Sequence, residues 1–486
     1  MSRILDPTSP DSPPVDLGAI RTVHVLAVAG TGMGAFACLL KEAGYEVRGS
    51  DQAVWPPMSE VLSAAGIPWR EGFSAENLEP PPDLVVVGNV VRRANPEADA
   101  MRARRLPHLS FPEALGALFL DTRHPIVVAG THGKTTTTAL VTWLLRTAGL
   151  DPSFLVGGVP KNLGRPSQLG RGQHFVVEGD EYDTAYFDKR PKFLHYRPQT
   201  AILTSLEFDH ADIYADIEAY TAAFERFVAL VPPSGRLLAC AGSAAVHQVA
   251  AACPGRVETY SARTEAADWA ARDLTTGPEG SHFELIHRGR PLGRLHLATG
   301  GRHNVENAVA AVAVALEAGA SWDAVREGLS TFEGVRRRQE LRGSPGEVTV
   351  IEDFAHHPTA VEATLGALRR RFPGRRLWAV YEPRSNTARR RIYQHRYEEA
   401  FDAADCVVVA SPPPHPDPIP EAERFDPPAL AEALERRGKH AYHRPTPEAV
   451  HDLLAGALRP GDVVVVMSNG SFGGLIERLL QTLESR

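Results

Sequence analysis

The sequence predicts an α/β protein built from three successive domains. Three times the chain passes from a buried strand through a turn into a helical stretch, restarting at Val23, Pro125 and Val348. Its 486 residues would fill about three cores at roughly 100–200 residues each. The bounds expected are a disordered tail over 1–20 and domains over 21–122, 123–340 and 341–486.

In the first unit the apolar run Val23 to Ala29 ends in Gly30-Thr31-Gly32-Met33-Gly34 and passes into a helix, Ala35 to Ala43. Strands at Tyr45 to Gly49 and Leu84 to Gly88, with a helix around Ser59 to Ala65, complete a parallel, Rossmann-like pattern. The second unit begins with the strand Pro125 to Ala129, a glycine loop and the helix Thr135 to Ala148. Strands at Phe175 to Glu178 and Thr200 to Thr204, a helix over Ile217 to Leu230 and an alanine-rich helix over Val305 to Ala318 follow. Between the last two, up to Leu297, the text is strand-like and irregular. The third unit places strands at Val348 to Asp353, Leu377 to Tyr381, Cys406 to Ala410 and Val463 to Met467, with a helix from Thr359. The proline-rich stretch 412–420 reads as a surface loop, because proline supplies no backbone donor.

Composition narrows the function classes. Hydrophobic residues at 43% and charged residues at 23% match an ordinary globular protein. No apolar run reaches the roughly 18–20 residues that span a bilayer, so membrane insertion is not expected. A net charge of −7 offers no basic footprint for a nucleic-acid partner. Four scattered cysteines without CxxC spacing favour a reducing, cytoplasmic location. Residues 1–20 lack the basic and apolar segments of a secretory signal.

The loop Gly130-Thr131-His132-Gly133-Lys134-Thr135, set between strand and helix, has the chemistry of a triphosphate cradle, which makes the middle unit a P-loop ATPase domain. Backbone N–H groups and the helix dipole face the phosphates, Lys134 reaches the β- and γ-oxygens, and the Thr135 hydroxyl suits Mg²⁺. The loop is a short GxxGKT form, with Val128 where the longer pattern has glycine. Acids at strand ends are the natural further ligands for magnesium, and Glu178 is best placed among Glu178, Asp180 and Glu181. Asp180 and Glu181 read equally as solvated charges, and His210 as a structural histidine or a ligand.

The first glycine turn has GxGxxA spacing (Gly30, Gly32, Ala35) with Asp51 about 20 residues on. That geometry suits NAD, FAD or any other diphosphate. Three further groups stay open. Asn304 and Asn307 fit helix capping or base recognition, His356-His357 a metal or a hydrogen-bonded pair, and Arg384 a substrate carboxylate or the surface.

Taken together the motifs resemble the Mur ligase family, the ATP-dependent amide ligases of peptidoglycan assembly. The resemblance rests on AGTHGKTTT (129–137), VVEGDEYDTAYFDKRPKFLHY (176–196), LEFDHADIY (206–214), RHNVENAVAA (302–311), EDFAHHPTA (352–360), EPRSNT (382–387) and MSNGSFGG (467–474). It implies a UDP-binding first domain, a central ATPase domain and a Rossmann-like third domain that closes over the acceptor. It implies ATP and Mg²⁺ as cofactors, with Lys134, Glu178 and His210 catalytic and Thr135, Glu178 and His210 at the metal. Thr136, Asn304, Asn307, Arg338 and Asp353 would join the loop around the adenine nucleotide. Gly30, Gly32, Gly34, Asp51 and Asn89 would hold a UDP-sugar, and Arg384, Ser385, Asn386 and Thr387 the acceptor. The stretches 382–387 and 467–474 are similar to the branch that joins UDP-N-acetylmuramate to L-alanyl-γ-D-glutamyl-meso-diaminopimelate, the alternative being the branch that adds L-alanine. Several relatives use a carbamylated lysine beyond the metal histidine, but no lysine lies between Lys192 and Lys439 here. A monomer or weak dimer is expected.

Overall fold

The computed structural model describes residues 3–55, 58–414 and 419–486. Three sheets, one in each third of the chain, organise it. The first has five parallel strands in the order Trp69–Glu71, Glu46–Asp51, Thr22–Leu26, Leu84–Val87, His108–Ser110. The order reverses at Thr22–Leu26, so a crevice opens between that strand and Leu84–Val87 at their carboxyl ends, where α/β sheets bind ligands. The helix Thr31–Glu42 begins inside the glycine turn, four residues earlier than expected. Small residues make the turn compact: a Cβ on Gly49 would lie 2.6 Å from the Val28 Cβ, and one on Gly34 would collide with the Met58 sulfur.

The expected disordered tail is a correction. Ile4–Leu5 pairs antiparallel with Val15–Asp16, and Ser9 and Val15 are buried. The segment lies against the edge strand His108–Ser110. There the Ser12 hydroxyl accepts the His108 N–H at 2.9 Å, and Ser9 Oγ meets the ring Nε2 at 2.7 Å. A sheet edge presents unpaired backbone groups; Ser12 satisfies the His108 N–H among them, and Ser9 holds the ring.

The central sheet has ten strands. From Ser153–Leu155 through His174–Glu178, His124–Ala129, Thr200–Leu203, Arg236–Cys240, Arg256–Ser261 and Trp269–Gly277 it is parallel. The irregular text before Leu297 resolves into an antiparallel extension, Trp269–Gly277, Gly280–His287 and Arg290–Leu297. Helices Lys134–Thr147 and Arg302–Glu317 share one apolar core. Alanines on the second let its backbone approach closely, and residues 308–313 are all fully buried.

The third sheet runs Glu340–Gly343, Thr349–Asp353, Val463–Met467, Leu377–Tyr381, Cys406–Ala410, His440–Arg444, parallel except for its first strand. The valine-rich strands are buried on both faces between helix layers, as parallel sheets require. Of the proline-rich stretch, 415–418 lie outside the described residues, and the neighbouring Ile419 is buried.

Candidate active site

The phosphate loop is shaped by two glycines with positive φ, Gly130 at 131° and Gly133 at 83°. Any Cβ at Gly133 would come within 2.7 Å of Asn307 Oδ1, and at Gly130 within 2.8 Å of Ser205 N. The loop is tied to the segment after the next strand. Thr131 N–H donates to the Ser205 carbonyl at 3.0 Å, His132 N–H to the Ser205 hydroxyl at 2.9 Å, and the Thr131 hydroxyl to the Glu207 carbonyl at 2.9 Å.

Lys134 starts the helix and turns its ammonium back over the loop, donating to the Gly130 carbonyl at 2.6 Å. It also lies 2.8 and 2.9 Å from the two Glu181 oxygens. Glu181, open in the sequence to a reading as a solvated charge, is only 1% exposed. His210 Nε2 sits 3.0 Å from the same carboxylate, and the Tyr214 hydroxyl donates to the Glu181 carbonyl at 2.7 Å. Burial works against the charged Glu181, but Lys134 and then His210 outweigh it and hold the carboxyl below its usual range. Burial likewise opposes protonation of His210, and Glu181 raises it above the usual histidine value. His210 has φ of 56°, so the turn after the strand Thr200–Leu203 holds it in the left-handed region to aim the ring at Glu181.

Thr135 Oγ1 donates to Glu178 Oε1 at 3.0 Å, and the other carboxylate oxygen accepts the Gly157 N–H at 2.9 Å. Burial pushes the Glu178 carboxyl up, with Lys134 as the main opposing charge. A hydroxyl beside a half-buried, under-compensated carboxylate is the hard-oxygen set that suits a divalent cation. Of the three metal ligands expected, Thr135 and Glu178 therefore meet directly, whereas His210 is engaged by Glu181. Asp180 is ion-paired with Lys192 at 2.7 Å rather than solvated.

The residues expected around the adenine nucleotide are drawn from two domains. Asn307 stands on the first turns of its helix against Gly133, and Asn304 Nδ2 donates back to the Gly300 carbonyl at 2.8 Å. Asp353 is buried, with its oxygens fixed by the N–H groups of Gln339 and Ala355, each at 2.7 Å. Burial pushes its carboxyl up against the pull of Arg338, whose guanidinium lies 4.9 Å above the Phe354 ring.

Arg384, Ser385, Asn386 and Thr387 follow the strand Leu377–Tyr381, and the last two of them meet the central domain. Asn386 Nδ2 donates to Asp212 at 2.8 Å, and Thr387 Oγ1 accepts the Ala211 N–H at 3.4 Å. Ser385 Oγ accepts the N–H of Ala388 at 3.1 Å. Arg384 keeps a half-exposed guanidinium, with Glu382 3.9 Å away.

In the first domain Gly30 caps the helix Thr31–Glu42 and Asn89 lies just past the strand Leu84–Val87, across the crevice. The Asp51 carboxylate accepts the N–H groups of Ala29 and Gln52, at 2.8 and 2.7 Å. It thus fastens the turn itself.

Sequence reasoning missed the roles of Glu181, Glu207 and His357. The latter two face His132 at the seam between central and carboxy-terminal domains. The motifs that contain them were visible, but burial and side-chain direction were not.

Three family models cover the chain: the Mur ligase family catalytic domain over residues 22–123, the Mur ligase middle domain over 128–315, and the Mur ligase glutamate ligase domain over 337–470. The chain belongs to the Mur ligase family and is an ATP-dependent, ADP-forming amide ligase. Among individual relatives, it is 40% identical over 96% of its length and 98% of theirs to the UDP-N-acetylmuramate–L-alanyl-gamma-D-glutamyl-meso-2,6-diaminoheptandioate ligase of Escherichia coli K12. It is 36% identical, over 96% of both chains, to the UDP-N-acetylmuramate–L-alanine ligase of Salinibacter ruber. The crystal structure of a murein peptide ligase from Psychrobacter arcticus superposes with a TM-score of 0.72 at 34% identity, covering 96% of this chain and 99% of that one.

Proposed function

We propose that the protein joins UDP-N-acetylmuramate to the tripeptide L-alanyl-γ-D-glutamyl-meso-diaminopimelate in peptidoglycan recycling. The observation that carries this reading is the full-length 40% identity to the Escherichia coli enzyme of that name. The site is consistent with it: the third-domain segment that contains Asn386 and Thr387 bonds to Asp212 and Ala211, just beyond His210, at the edge where an acceptor would enter.

The lactyl carboxylate attacks the γ-phosphorus of ATP, ADP leaves, and the resulting acyl phosphate is captured by the tripeptide's L-alanine amine with loss of phosphate. The loop's N–H groups and the helix start at Lys134 hold the phosphates in line, and Lys134 neutralises charge gathering on the transferred group. Thr135 and Glu178 would hold Mg²⁺, with His210 the third candidate, and the ion would neutralise phosphate charge. Glu181 keeps Lys134 charged and aimed. The third domain covers the acyl phosphate and excludes water from it. Gly30, Gly32, Gly34 and Asn89 take the diphosphate of the UDP-sugar, and Asp51 supports that turn. Arg384 takes a carboxylate of the acceptor. Four free thiols accord with a cytoplasmic enzyme.

The second reading, addition of free L-alanine, is motivated by the 36% identity to the Salinibacter ruber enzyme. Phosphate release measured with UDP-N-acetylmuramate and each acceptor separates the two. Turnover with the tripeptide and little with L-alanine is expected; the reverse would overturn the assignment.

A further inference from the structure

His132 of the phosphate loop, Glu207 beyond the strand Thr200–Leu203, and His357 at the start of the helix Pro358–Arg371 each bring one ligand atom within 4.8 Å of the others. Two belong to the central domain and the third to the carboxy-terminal domain. His132 Nε2 and His357 Nδ1 each lie 3.4 Å from one oxygen, Glu207 Oε2. Two ligands held about 2.0–2.1 Å from a tetrahedral ion stand about 3.4 Å apart, so both separations match the edge of such a site. The Nε2 atoms of His132 and His357 are buried and make no hydrogen bond. His357 is 4% exposed, and its Nδ1, the atom that faces Glu207, accepts the Thr359 N–H at 3.4 Å, so on each ring the buried Nε2 is left without a hydrogen bond, a costly arrangement unless something else engages it. The Thr359 hydroxyl donates to Glu207 Oε2 at 2.6 Å and fixes the carboxylate, as outer groups do around metal ligands.

We propose that His132, Glu207 and His357 bind a divalent transition metal of the zinc type and so clamp the carboxy-terminal domain onto the phosphate loop. Two imidazoles and a carboxylate select zinc or cobalt over magnesium, which prefers oxygen and keeps its waters. The site is therefore separate from the hard-oxygen pair Thr135 and Glu178. Three protein ligands leave a fourth position open to water or to a substrate group. Because the ligands come from both domains, the ion binds only where the domains meet and favours that arrangement over an open one. Each catalytic cycle requires opening for exchange of nucleotide and product, so zinc acts here as an inhibitor that holds the enzyme shut. The inference stands on this geometry alone and does not depend on the identity of the acceptor.

Cobalt titrated into the full-length, chelator-treated protein is the test, with the visible bands of four-coordinate cobalt as the readout. One equivalent bound is expected, undisplaced by excess Mg²⁺, with affinity reduced at least about 10-fold in both His357→Ala and Glu207→Gln. His356→Ala is expected to bind as the unaltered protein does. Circular dichroism checks that each variant is folded, and Glu207→Gln decides alone if His357→Ala is not. Small-angle scattering with zinc is expected to show the compact form enriched in the unaltered protein and not in Glu207→Gln. Absence of stoichiometric cobalt binding, or binding unchanged in the folded variants, would overturn the proposal.

Discussion

Lys134 and Glu181 form a buried ion pair in which one ammonium lies 2.8–2.9 Å from both oxygens of one carboxylate. The lysine proposed to serve the phosphates is thereby held by a group 47 residues away, just beyond the strand His174–Glu178. Removing either partner leaves a buried charge exposed to its full desolvation cost.

Lys134→Ala is therefore expected to lower turnover at least about 10³-fold, the scale seen when a preorganised charge-stabilising donor is removed. It should also reduce stability by about 3 kcal/mol. The glycine turn proposed for the UDP-sugar belongs to another sheet, so calorimetry with UDP-N-acetylmuramate should show nearly unchanged binding. Equal loss of both functions in a folded variant would contradict the separation of the two sites.

Glu181→Gln keeps the shape of the contact and removes its charge. Burial then acts on His210 without its main counter-charge, and the ring's pKa should fall from above its usual value to below it. Histidine NMR signals followed through a pH titration check this directly. An unmoved His210 titration would mean that Glu181 does not set its protonation.

At Gly133 a methyl group meets two obstacles, a φ of 83° and the Asn307 oxygen 2.7 Å away. Gly133→Ala should cost about 1–2 kcal/mol from the backbone alone and raise the KM for ATP. Urea unfolding and initial-rate kinetics report the two effects independently.

His303 sits among Arg370, Arg263 and Arg338, and burial first, then these charges, push its pKa down to about 4. Above pH 6.5 the ring is neutral in folded and unfolded chains alike, so its contribution to stability is complete there. Between 6.5 and 4 only the unfolded chain takes up the proton, and stability falls as pH falls. Discounted for the ring's partial exposure, the loss is roughly 2 kcal/mol across that window. Urea unfolding at pH 7 and pH 5 should show it in the unaltered protein and much less of it in His303→Gln. The same slope in both would remove His303 as its source.

Arg384→Ala should raise the KM for the tripeptide about 10-fold or more while leaving the KM for ATP close to unchanged, since its guanidinium is the half-exposed cation of the 384–387 segment. Steady-state kinetics with each substrate varied separately distinguishes this from a general loss. Asn386→Ala, which breaks a bond between domains, should affect both.

Local pattern carried much of this structure. Strands such as Leu377–Tyr381 and Cys406–Ala410 were legible because short, continuous apolar runs bounded by turns have few alternative readings. The glycine loop with Lys134 and Thr135 was legible because its chemistry is contained in six adjacent residues. Less could be seen where the partner is distant. Glu181 and Asp180 look alike in GDEYD, and only the fold sends one to Lys134 and the other to Lys192. His357 was weighed with its neighbour His356, whereas its companions, His132 and Glu207, are 225 and 150 residues earlier in the chain. Residues 3–16 carried prolines and aspartates that suggested disorder, because nothing local announced the edge strand that receives them.

That edge strand has a practical consequence for handling the molecule. Ser9 and His108 are separated by 99 positions, so a chain emerging in order exposes its leading segment well before the docking partner exists. Trimming residues 3–16 to tidy an expression clone would leave the His108 N–H without its Ser12 partner at an edge strand, a position from which sheets self-associate. An affinity handle is better placed after Glu484, where the last helix ends beside the final exposed residues.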